Sequence, residues 1–139
     1  MSICADKDWT MDLVADDPNK PDKENFTFKN IRVVNGILTG RAYDAKGNYS
    51  DLRGSCVTFG PVAQMTFVFT ALNDKSEYVD IVLLGGGFPV PDEQPRFTGR
   101  FEVFKRASAA KAVAGTGFDE GDTGTGTGMQ AMMTRRNRT

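Results

Sequence analysis

Ile31-Arg32-Val33-Val34-Asn35-Gly36-Ile37-Leu38-Thr39-Gly40-Arg41-Ala42 is a β-hairpin legible in the sequence. Asn35-Gly36 is the strongest short hairpin signal, because both residues tolerate the positive φ of a type I′ turn. Ile31 and Val33 carry the apolar phase into the turn, and Leu38, Gly40 and Ala42 carry it out. Gly40 stands where a core side chain belongs. The same substitution recurs in Leu52-Arg53-Gly54-Ser55-Cys56 and in Phe97-Thr98-Gly99-Arg100-Phe101. A glycine inside a strand marks a bend, a bulge or a close backbone approach. Three in matching positions predict a sheet that curls until it closes.

Outward from this hairpin the period-two pattern continues in both directions. Trp9, Met11 and Leu13 alternate with polar residues in a half-buried first strand. A proline-broken polar loop, 16–23, follows. Phe26 and Phe28 open the next strand, and the slip of phase to Ile31 and Val33 places a bulge at Lys29-Asn30. Turns are expected at 44–48, Gly60-Pro61 and 73–76. Met65, Phe67, Phe69 and Ala71 form one clean phase. Tyr78 to Leu84 is apolar on both faces, and Phe97, Gly99, Phe101 and Val103 make the last clear strand. The expected fold is all-β: a seven- to eight-stranded antiparallel up-and-down barrel. Residues 1–105 form the barrel domain and 106–139 an extension, Ala-rich and then Gly/Thr-rich. Ala107 to Ala114 suits a short helix, and 115–128 reads as a flexible tail.

The chain has 139 residues, 40% apolar and 25% charged, with a net charge of -1, the profile of one globular domain. That charge argues against nucleic acid as a partner. No apolar run approaches the ~18 residues of a membrane helix. The N-terminal stretch lacks the pattern of a signal peptide, which makes the cytoplasm the default location, with a place in a larger assembly open. There is no histidine, and neither Cys4 nor Cys56 belongs to a CxxC pair, so neither zinc nor any other cofactor is expected. Cys56 shares the apolar phase of its strand and reads first as a buried free thiol; a disulfide to Cys4 is the other reading. No acid–base constellation stands out, and no enzyme activity is expected.

Trp9 in the first strand, the meander, and Gly36-Ile37-Leu38-Thr39-Gly40 together resemble the avidin and streptavidin group of barrels, and more broadly the calycins. The resemblance implies an eight-stranded barrel in which Trp9 packs against a basic residue of the last strand, Arg100 or Lys105. The chain departs from the group in having a single Trp, in Tyr43 falling one residue late after Thr39-Gly40, and in Asp44 standing where a pocket hydroxyl belongs. These departures argue against biotin.

Two functions follow. In the first, the protein is a non-enzymatic structural or interaction subunit. It self-associates through outward residues Phe59, Tyr78, Val82, Leu84 and Phe104, and docks on another copy or another protein through a tail carrying Met129, Met132, Met133, Arg135 and Arg136. In the second, an avidin- or lipocalin-like barrel mouth binds a small apolar ligand with Trp9, Met11, Leu38, Phe67, Phe69 and Phe101.

Overall fold

The computed structural model describes residues 2–20, 22–109 and 111–132. It is all-β. Strands β1 (Trp9–Ala15), β2 (Glu24–Val34), β3 (Ile37–Tyr43), β4 (Tyr49–Phe59), β5 (Val62–Asn73), β6 (Tyr78–Val90) and β7 (Glu93–Lys105) pair antiparallel in sequence order. The two-residue β8 (Gly115–Thr116) adds to β5 in parallel, and β9 (Thr123–Gln130) pairs antiparallel with both β7 and β1. β9 thereby closes an eight-stranded up-and-down barrel.

The hairpin lies as its residues predict. Val34 pairs with Ile37 around Asn35 and Gly36, whose φ values are 52° and 81°. The β2–β3 register shifts between Lys29 and Arg32, with Asn30 at φ 57°, at the expected bulge. Gly40, Gly54 and Gly99 lie on the inward phase. A Cβ on Gly54 would run into the Thr66 carbonyl, and one on Gly40 would stand 2.8 Å from the Lys29 carbonyl oxygen. Backbone or side chain already occupies the volume these residues leave free.

Four expectations are corrected. The Gly/Thr segment is not a free tail: 123–130 is a wall strand, with Gly124, Gly126 and Gly128 inward and Thr123, Thr125, Thr127 and Met129 outward. Gly124 lies under Phe101, Gly126 under Leu83 and Leu13, and Gly128 under Met11, so the large residues of neighbouring strands fill the space over it. The Ala-rich segment makes no helix among its described residues; Ala112 and Ala114 are buried against the barrel instead. Cys56 is not a free thiol, because Cys4 folds over the end of the barrel and bonds to it, Cα to Cα 5.6 Å. Trp9 packs edge-on against Phe67 and Phe97, ring centroids 6.4 Å away in each case, and not on a basic residue. Arg100 is held on the outer surface by Asp16 and Thr125, and Lys105 is exposed.

Candidate functional site

The six residues expected to line a ligand-binding mouth are brought together, and they fill the space themselves. Trp9, Met11, Leu38, Phe67, Phe69 and Phe101 are each at most 2% exposed. Phe69 packs edge-on against Phe28 with ring centroids 5.6 Å apart and tilted against Phe26 at 4.9 Å, and Phe28 packs tilted against Phe67 and Phe101 against Phe118, each at 4.9 Å. Barrels of this size either pack their interior or hold one small ligand; this interior is packed.

Chain also covers both ends. At the end where β1 starts, Ile3 is buried against Met65 and Gly87. It is pinned there by the neighbouring Cys4–Cys56 bond and by Gln130, whose Nε2 donates to the Ile3 carbonyl at 2.8 Å. Asp6 accepts from the Val33 amide nearby.

At the opposite end residues 112–119 form a cap, with Ala112, Ala114, Thr116 and Phe118 alternating inward. Carboxylates latch it. Gly115 N–H donates to Asp44 at 2.7 Å, Gly117 N–H to Glu24 at 2.7 Å, and the Thr116 hydroxyl to Glu24 at 2.8 Å. Asp119 accepts from Lys20 and Asn73, and the Ser50 hydroxyl accepts the Ala114 N–H. Burial pushes the Glu24 carboxyl up, against the two hydrogen bonds it accepts; the hydrogen bond from Lys20 holds Asp119 below the usual carboxylate range. Sequence reading missed this cap, because none of the latching carboxylates is near its partner along the chain. The one local signal was the alternation of small and apolar residues from Ala112 to Phe118.

The expected interface residues face outward. Phe59 is 60% exposed, Leu84 56% and Phe104 45%, while Tyr78 and Val82 are half-buried. Together with Gly86 and Phe88, Tyr78, Val82 and Leu84 form the outward column of β6, broken only by Asp80. Beside this column a shallow apolar depression of about 320 Å³ lies between Phe59, Val62, Gly86, Phe88 and Thr98. Met129 sits in the barrel wall opposite Thr10 and Arg96, and Met132 is exposed beyond it. Met133, Arg135 and Arg136 lie outside the described residues. Comparison of the chain with known protein families, with curated proteins and with solved structures gives no match.

Proposed function

We propose that the protein is a non-enzymatic assembly subunit, a filled barrel that associates with further copies of itself through the outer surface of β4–β7. The observation that carries this reading is the outward column of β6. A strand apolar on both faces belongs where both faces are covered, yet Leu84 stands 56% exposed in the single chain, between Thr66 of β5 and Arg100 of β7. Interface cores are rich in aromatic residues and poor in charge, and the stretch from Phe59 and Val62 across to Phe88 has that character. The C-terminal peptide carrying Met132, Met133, Arg135 and Arg136 is the proposed second docking element. Of the avidin likeness, the proposal retains the barrel alone. The filled interior and the covered ends weigh against the ligand-binding alternative.

Light scattering coupled to size exclusion tests the reading. The wild type is expected to elute as an oligomer at micromolar concentration, and the double variant Val82→Lys/Leu84→Lys as a folded monomer. A wild-type chain that stays monomeric at high micromolar concentration rules the proposal out.

A further inference from the structure

We propose that the outward face of β2–β4, together with the cleft where β4 and β5 part, binds an acidic polysaccharide. Lys29, Arg32, Arg41 and Arg53 are all exposed on this face. Lys29 is the direct cross-strand partner of Arg41, and Arg32 and Arg53 flank Thr39 from either side. Like charges placed directly opposite destabilise a sheet; Asp51 faces Arg41 from β4 and offsets part of the Lys29–Arg41 repulsion, and a bound polyanion would relieve the rest. Two of the cations are held in place: Lys29 lies 5.2 Å from the Tyr43 ring centre and Arg41 4.5 Å from that of Tyr49.

The cleft continues the face. The β4–β5 ladder ends at Leu52 opposite Phe69, and beyond it the Ala114 carbonyl takes the Leu72 N–H in place of β4. The opening holds about 340 Å³ and is lined by Arg53, Arg106 and Lys111 with Ser50, Asp51 and Thr70. That volume lies within the range of small-molecule sites and suits one sugar unit. Arg106 is anchored by Asp80, 3.2 Å away, and donates to the Thr70 hydroxyl. Face and cleft together carry six cations against Asp51 and Asp80, in a chain whose net charge is -1. They reach from β2 to β6, about 20 Å at the usual inter-strand spacing, which is room for several units of a polymer.

Three observations favour a glycan over a nucleic acid. Proteins that hold single-stranded nucleic acid offer free aromatic faces for base stacking, whereas Tyr43 and Tyr49 are engaged by the two cations and by each other at 5.3 Å. The cleft mixes cations with carboxylates and hydroxyls, which accept hydrogen bonds from the many sugar hydroxyls of a glycan. The Cys4–Cys56 disulfide belongs to an oxidising compartment, where acidic glycans are abundant polyanions.

Calorimetry of the full chain with a heparin-derived dodecasaccharide, at low and moderate salt, tests the site. Wild type is expected to bind it and not neutral dextran, with affinity falling as salt rises. Arg41→Gln/Arg53→Gln should bind about tenfold more weakly, the loss expected when charge-assisted contacts go, with an unchanged melting temperature; Lys105→Gln should bind as wild type does. No binding at low salt, equal binding of dextran, or an unaffected double variant would overturn the proposal. So would a single-stranded oligonucleotide of equal charge binding tenfold tighter than the glycan.

Discussion

Gly126 illustrates how much of this barrel is decided by what faces a residue. A Cβ there would stand 2.5 Å from Leu83 Cδ1 and 3.1 Å from Leu13 Cδ2, both fully buried. The adjacent Thr127 points outward and is exposed. Replacing Gly126 with Val is therefore expected to overpack the interior and cost on the order of 1–3 kcal/mol. Thr127→Val, one position along on the same strand, should stay within about 0.5 kcal/mol of the parent. Urea denaturation of the two variants checks this, and equal midpoints would refute the inward placement of the glycine. The same argument explains why Thr-Gly alternation passed for a linker. Composition weights glycine as flexible, while the β-branched threonine at every second position is a strand signal.

The cap over the end of the barrel behaves as an element whose hold depends on pH, and its two carboxylates act in opposite directions. Asp119 has its pKa lowered in the folded state. Its contribution is present above the unfolded value of 3.8 and is lost as pH falls through the folded one. Glu24 has its pKa raised, so stability declines as pH rises from the unfolded value of 4.5 through the folded one. Cap stability should thus peak on the acid side of neutrality and fall away on both sides. Hydrogen exchange at the Gly117 amide, which donates to Glu24, reports on cap opening once corrected for intrinsic rates. Glu24→Gln should flatten the limb above the peak and Asp119→Asn the limb below it. A wild-type profile that rises steadily from pH 3 to pH 7 contradicts this assignment.

Across the whole molecule, the interior is sealed by two segments outside the seven-strand meander, and one of them is covalent. The Cys4–Cys56 bond spans 52 positions. In the chain-entropy account a loop of that length is worth at most about 4 kcal/mol, from restriction of the unfolded chain. Cys4→Ser/Cys56→Ser should accordingly unfold at lower denaturant, and Ile3 should leave its place against Met65 and Gly87. Protease cleavage within the first eight residues would then precede global unfolding. If the double variant keeps both the parent midpoint and a protected N-terminus, the bond contributes nothing to the seal. The outer surface carries an apolar patch from Phe59 to Phe88 and a cationic face on β2–β4. A filled barrel of this kind presents chemistry on its walls.

The amino-acid sequence by itself determined seven of the barrel's eight wall strands and their faces. Period-two alternation is a property of neighbouring residues, and Asn35-Gly36 sets its own backbone conformation; the bulge at Lys29-Asn30 follows from a slip in phase. The inward aromatic set and the outward set from Phe59 to Phe104 follow from the same counting. Only the tertiary structure decided that β9 closes the barrel, that 112–119 caps it, and that Cys4 reaches Cys56. Each of these joins residues far apart in the chain. An inward glycine strand is stable only because Met11, Leu13, Leu83 and Phe101, from three other strands, fill the volume it leaves open, and no local pattern records what lies across a core.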